Sequence, residues 1–150
     1  MTIQDKIREH ARGAMKARDE TRTIVLRSII SGFTNYNVAK KRKPDHALSP
    51  EEVMEVISRE GRQRKDSIEQ FEKGERFDLV EKEKAELKII EEYLPEQLTD
   101  EEIEKIVVSK KEELGIADKS GLGRLMGAVM KETKGRADGN RVKKIVEKNL

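Results

Sequence analysis

Positively charged side chains are concentrated at the carboxyl-terminal end of the sequence. Residues 119–150 contain nine lysines and arginines but only three acidic residues. Clustered cations of this kind attract polyanions and hydrogen-bond to phosphate oxygens. Because the net charge of the whole chain is only +2, the remaining residues are net negative, and we expect phosphate binding in this last segment. Six side chains are predicted to contact nucleic-acid phosphates: Arg124, Lys131, Lys134, Arg136, Lys143 and Lys144.

The same positive charges have an alternative explanation that involves no ligand. The basic segment is preceded by the acidic stretch "TDEEIEK" of the same small domain, so a solvated basic face that balances this stretch explains the pattern equally well. Other chemistry has little support in the sequence. There is no cysteine, and His10 and His46 have no second ligand at metal-binding spacing. We therefore expect no catalytic residue, no metal and no cofactor.

The sequence has helix signals throughout and no strand signals, which predicts an all-α protein of seven helices. The apolar pattern is interrupted at Pro95, so we expect a four-helix amino-terminal domain over 1–94 and a three-helix tail domain over 98–150. The chain has no apolar run near the ~20 residues of a membrane span, and we expect a cytoplasmic protein that does not enter a membrane.

Short motifs mark where individual helices begin and end. Ser49 with Glu52, and Thr99 with Glu102, have the spacing of capping boxes, which predicts helix starts at both sites. Gly74 and Gly115 are predicted to occupy the left-handed position that follows a helix.

The stretch "KGRADG", residues 134–139, is predicted to be a turn between the sixth and seventh helices. Gly135 ends the sixth helix and Asp138 caps the seventh. The Asp138 carboxylate would repel a phosphate at the same helix end, so contacts to nucleic-acid phosphates are assigned to side chains rather than to backbone amides. Gly135 and Ala137 leave room for a bulky nucleic acid to approach, and Gly121, Gly123 and Gly127 add to this, since they suggest the close approach of another backbone. The alternative is that this other backbone is only the neighbouring helix.

Charged residues also fall within the apolar stripe of the third and fourth helices. Arg64 and Glu60 lie in the stripe of the third helix, and Glu83 lies in that of the fourth. If the two helices pair antiparallel about Gly74, Arg64 comes level with Glu83. We therefore predict a structural ion pair between Arg64 and Glu83, with Glu60 competing at i,i+4 spacing.

The stretches "EEYLPEQLTDEEIEKIV" and "GLGRLMGAVMKETKGRADGNRVKKIV" resemble the YqeY-like family, and "QRKDSIEQF" and "RFDLVEKEKAEL" extend the resemblance into the first half of the chain. The carboxyl-terminal half of that family is similar to the tail domain of the B subunit of glutamine-dependent tRNA amidotransferase. The resemblance implies an all-helical fold with a three-helix tail that engages tRNA. The residues that match the motif are Gly127, Met130, Lys134, Gly135, Ala137 and Asp138.

Three functions follow from this resemblance and from the basic tail. The favoured one is a non-catalytic accessory module that binds tRNA. The second is a protein-interaction adaptor for an amidotransferase or an aminoacyl-tRNA synthetase. A carbon–nitrogen ligase with glutamine as amido donor is the least favoured, because the B subunit performs that chemistry in a larger domain with no counterpart in these 150 residues.

Overall fold

The computed structural model describes all 150 residues and contains only helices and connecting turns. The prediction of an all-α fold with seven helices is confirmed. A short 3-10 turn, Lys119–Gly121, precedes the sixth helix. The seven helices are α1 (Ile3–Lys16), α2 (Glu20–Ala39), α3 (Pro50–Lys73), α4 (Phe77–Glu91), α5 (Asp100–Leu114), α6 (Leu122–Thr133) and α7 (Gly139–Lys148). None of them combines the length and the apolar character that crossing a membrane requires.

Local capping chemistry accounts for several helix starts. Both predicted capping boxes are present, with the Ser49 side chain accepting from the Glu52 amide and the Thr99 side chain accepting from the Glu102 amide. In each box the glutamate side chain accepts in return from the backbone amide of the cap residue. The starts of α3 and α5 are therefore determined within four residues of sequence.

The end of α3 differs from the prediction. Gly74 is not left-handed but has φ −86°, and the next residue, Glu75, has φ 56°. The Arg76 amide donates to Phe71 O at 2.9 Å, which is the long bond of a Schellman motif with Glu75 at the left-handed position. The helix continues for one residue more than expected, and a glutamate rather than the glycine adopts the strained conformation. Gly115, by contrast, closes α5 with φ 64° as predicted.

Backbone contacts divide the chain into two compact units, Met1–Leu94 and Pro95–Leu150. The first unit, unit 1, contains α1 to α4 around one apolar core, in which Ile7, Ile29, Phe33, Ile57 and Ile90 are at most 1% exposed. A Cβ atom on Gly32 would lie only 2.8 Å from Val56 Cγ1, so the small side of α2 lets α3 approach closely.

The second unit, unit 2, contains α5, α6 and α7 around its own core. Ile103, Val107, Leu125, Val129, Val142 and Val146 are fully buried there. That each unit folds independently as a domain stays a prediction, taken up in the Discussion.

Candidate nucleic-acid interface

The turn between α6 and α7 sets the geometry of unit 2. Lys134 has φ −51° and ψ 124°, Gly135 has φ 77°, and the Arg136 amide donates to Thr133 O at 2.8 Å. These values describe a type II β-turn, which requires a positive φ at its third residue and therefore favours glycine at position 135. Asp138 then caps α7, because its Oδ1 accepts from the Asn140 amide at 3.0 Å.

Hydrogen bonds attach this turn to the beginning of unit 2. The Leu98 amide donates to Arg136 O at 2.8 Å, and the Gln97 side chain donates to Gly135 O at 3.2 Å. Ala137 packs against the apolar core of the unit. Gly135, Ala137 and Asp138 thus define the backbone path of the turn, which carries Lys134 and Arg136.

The six cations predicted from the sequence all lie on the surface of unit 2, and none has a carboxylate within 4.0 Å. With about 3.6 residues per turn, Arg124 and Lys131 lie on the side of α6 opposite the buried Leu125 and Val129. Lys134 and Arg136 belong to the turn. Lys143 and Lys144 lie on α7, away from the buried Val142 and Val146.

Neighbouring charged groups are already engaged elsewhere. Glu132 on α6 lies 3.6 Å from Lys110 Nζ. Arg141 is not available to a ligand, because its Nε donates to Asp100 Oδ1 at 2.7 Å and its Nη2 donates to Leu98 O at 2.6 Å. Within residues 119–150, the six cations of the predicted phosphate-binding set therefore remain unpaired, as do Lys119 and Lys148, and little local carboxylate is present to neutralise them.

The solvent-facing side of α6 contains two glycines, Gly123 and Gly127, and so has few side-chain atoms there. A Cβ atom on Gly123 or on Gly127 would meet no atom within 4 Å, so a neighbouring helix does not explain these two glycines. Gly121 differs, because a Cβ there would lie 2.5 Å from Cγ2 of Ile116, a residue of the connection that follows α5. Met130, 37% exposed, packs its Cε against the start of α7 at Gly139. Gly123 and Gly127 leave an open surface on which a bulky ligand can approach the helix backbone.

Arg64 lies in a largely buried cluster of carboxylates in unit 1. The structure places its Nε 3.7 Å from Glu83 Oε2, and its Nη1 donates to Glu60 Oε2 at 3.3 Å. The closest partner is Glu86, which the sequence reasoning missed and which accepts from Nε at 3.1 Å. Ser28 also donates to Glu60, at 2.8 Å.

Three carboxylates share one guanidinium in this cluster, and Glu83 is the least well satisfied. Its Oε2 is buried and accepts no hydrogen bond. Burial, followed by the nearby Glu86 carboxylate, raises the pKa of Glu83 above its ordinary value. The cluster holds α3 and α4 in register, and no ligand is needed to explain its groups.

A second polar network in unit 1 was not foreseen. His10 Nδ1 and Tyr93 Oη lie 2.7 Å apart, and Arg22 makes a two-pronged contact with Glu92 at 2.7 and 3.2 Å. These side chains line an open depression of about 450 Å³. Their partners are 70 and 83 residues apart in sequence, so no local pattern could have indicated them. Each of these four side chains already contacts another member of the network.

A family model described as "Yqey-like protein" matches residues 4–150 of the chain. Altered inheritance of mitochondria protein 41 of Lachancea thermotolerans is 36% identical over 88 residues, which are 59% of this chain and 46% of that protein. The protein of the same name in Pyrenophora tritici-repentis is 31% identical over 138 residues, covering 90% of this chain and 73% of the relative.

An uncharacterized protein of Schizosaccharomyces pombe is 33% identical over 94 residues, covering 63% of this chain and 73% of its own length. The chain spans less than half the length of the Lachancea relative and of the similarly named Kluyveromyces lactis protein.

Proposed function

The chain belongs to the YqeY-like protein family, and from this premise we propose that it is a non-catalytic accessory module that binds tRNA through unit 2. One observation carries the proposal. Six exposed cations on α6, on the following turn and on α7 have no carboxylate within 4.0 Å, although acidic residues make up a large share of the chain. Unpaired surface cations of this kind are available to phosphate oxygens.

The chemistry of these side chains indicates how the RNA is recognised. Lysine and arginine contacts to phosphates position a protein on a nucleic acid without reading its sequence. Aromatic residues make up only 3% of the chain, so stacking on unpaired bases contributes little. Recognition then depends on the shape and the backbone of the tRNA, and the affinity falls steeply as salt rises.

The experiment that tests this function removes two cations from the turn. Lys134→Ala with Arg136→Ala leaves the Gly135 turn and the Asp138 cap unchanged, so the variant should fold. We expect weaker binding to bulk tRNA, and a slope of log K against log salt that is smaller by about 0.9 for each duplex phosphate that the variant no longer neutralises. Binding is measured between about 50 and 200 mM salt, an interval over which a protein that neutralises several phosphates loses orders of magnitude in affinity.

A matched control removes two positive charges elsewhere. Arg62 and Lys88 are exposed, lie on α3 and α4, and have no carboxylate within 4.0 Å. Replacing both by alanine should leave tRNA affinity nearly unchanged. If the turn variant binds tRNA as tightly as this control, the assignment of the tail to tRNA is wrong.

The alternative adaptor function has one observation in its favour. Phe77, the first residue of α4, is 62% exposed, so this aromatic side chain is available to contact a protein partner. An adaptor that used such a contact would bind purified amidotransferase or aminoacyl-tRNA synthetase with an affinity that changes little with salt. A strong salt dependence with RNA and a weak one with protein therefore separate the two functions.

Two cellular locations, the cytoplasm and the mitochondrion, are considered for this protein. A cytoplasmic location is predicted from the sequence, whereas the named relatives are described as mitochondrial. An RNA-binding role is compatible with translation in either compartment.

A further inference from the structure

Unit 1 has a charge segregation of its own. Residues 1–43 contain eleven basic and four acidic residues, whereas residues 44–94 contain nine basic and fifteen acidic residues. The net charge of unit 1 is close to zero because the positive excess of the first segment and the negative excess of the second nearly cancel. The excess of positive charge on α1, α2 and the start of the following loop is at least as large as that of residues 119–150.

Few of these cations have a partner. Arg22 pairs with Glu92, and Arg42 pairs with Glu52 at 3.0 Å. The other nine are exposed and have no carboxylate within 4.0 Å: Lys6, Arg8, Arg12, Lys16, Arg18, Arg27, Lys40, Lys41 and Lys43. Most cations of residues 1–43 therefore form no ion pair within the folded chain.

Four of the free cations belong to one region, which we call the α1–α2 basic surface: Arg8, Arg12, Lys16 and Arg27. The first three follow one another at i,i+4 spacing on α1, so they form a row with steps of about 6 Å along the helix axis. Arg27 of α2 joins this row, because its Nη2 lies 3.5 Å from the sulfur of Met15.

This row is unfavourable for the isolated protein. Like charges at i,i+4 spacing destabilise a helix. Lys16 lies in the last turn of α1, where the helix dipole favours a cation, but Arg8 and Arg12 have no such compensation. Of the two carboxylates on α1, Asp5 completes the capping box with Thr2, and neither Asp5 nor Glu9 comes within 4.0 Å of a cation of the row. A bound polyanion would remove the repulsion.

We propose that the α1–α2 basic surface is a second site for RNA backbone phosphates, separate from the tail. Arginine, which supplies three of its four cations, matches phosphate with paired donors. Insertion into a lipid surface does not suit this helix, because Ile7, Ala11 and Ala14 on its apolar side are buried in the core of unit 1. The proposal rests on the proposed function only in taking the same class of ligand.

The test uses the full chain and two paired substitutions. Arg8→Gln with Arg12→Gln removes the two least compensated cations, and Arg62→Gln with Lys88→Gln removes the same charge from the acidic half. Binding is measured to bulk tRNA, to a short RNA duplex and to vesicles containing phosphatidylserine. We expect the first variant to bind tRNA and duplex more weakly than the second, with a salt slope lower by about 1.8 because two duplex phosphates are no longer neutralised. Circular dichroism should show unchanged helix content in both variants.

The outcomes separate this proposal from the function of the tail. If the Lys134 and Arg136 variant weakens binding but the Arg8 and Arg12 variant matches its control, the second site is wrong and the tail function stands. If only the Arg8 and Arg12 variant weakens binding, the second site stands and the tail assignment is wrong. If the α1 variant loses vesicle binding while RNA binding matches the control, the surface is a lipid site and the proposal is overturned. A parent chain without salt-sensitive RNA binding overturns both proposals.

Discussion

Glu75 adopts a left-handed backbone conformation, with φ 56°, in which a Cβ atom is unfavourable. Its amide and the two neighbouring amides close α3, so the conformation is held by the helix end rather than by the side chain. We expect Glu75→Gly to raise the free energy of unfolding by about 1 kcal/mol, because glycine reaches this conformation without the steric penalty. Urea unfolding followed by circular dichroism measures the difference.

The adjacent Gly74 supplies the counter-test. Its φ is −86°, and an added Cβ would make only ordinary contacts, the nearest being Gln70 O at 3.6 Å. Gly74→Ala should therefore be tolerated, whereas Gly115→Ala, at φ 64°, should destabilise the protein. A loss of stability in Gly74→Ala as large as that in Gly115→Ala would contradict the observed cap.

At the scale of elements, the α3–α4 pair is stabilised by packing but carries a surplus of negative charge around Arg64. The pKa of the Glu83 carboxyl is raised in the folded protein, which means that the folded state favours the protonated form. The stability that this protonation contributes is fully present below the pKa of the unfolded chain, and it is lost as pH rises through the folded pKa. Glu83→Gln removes this titration. We expect the variant to be more stable than the parent at pH 7, by about 1 kcal/mol, the order of the cost of one unsatisfied buried polar atom.

Measurement of unfolding between pH 4 and pH 8 tests this expectation. The advantage of Glu83→Gln should shrink toward pH 4, where the parent carboxyl is protonated. Arg64→Met should act in the opposite direction and destabilise the protein by about 3 kcal/mol, because it leaves three carboxylates without their cation. An unchanged pH profile in Glu83→Gln would show that Glu83 is not the strained member of the cluster.

At the scale of the whole molecule, each of the two units has its own apolar core. We therefore expect the fragments 1–94 and 95–150 to fold separately, with the longer one more stable because a larger unit buries a greater fraction of its surface. Thermal unfolding of the fragments by circular dichroism, compared with the full chain, measures this independence. If neither fragment shows a cooperative transition, the proposed domain division at Pro95 is wrong.

The helices and their capping boxes were predictable from sequence because they depend on residues at most four positions apart. Ser49 with Glu52, Thr99 with Glu102 and Gly115 are all of this kind. The exposure of the tail cations was also predictable, since charged side chains on the polar side of an amphipathic helix remain in water. The sequence by itself thus determined the class of the fold, most helix ends and the charge of its surfaces.

Only the tertiary structure decided which distant groups meet. Glu83 and Glu86 lie nearly one turn apart on the same side of α4, so the pattern allowed either to reach Arg64, and the packing of α3 against α4 made Glu86 the closer partner. The contact of His10 with Tyr93 and that of Arg27 with Met15 have the same origin. Such pairs depend on how helices are placed in space, and a helical repeat states only which side of its own helix a residue occupies.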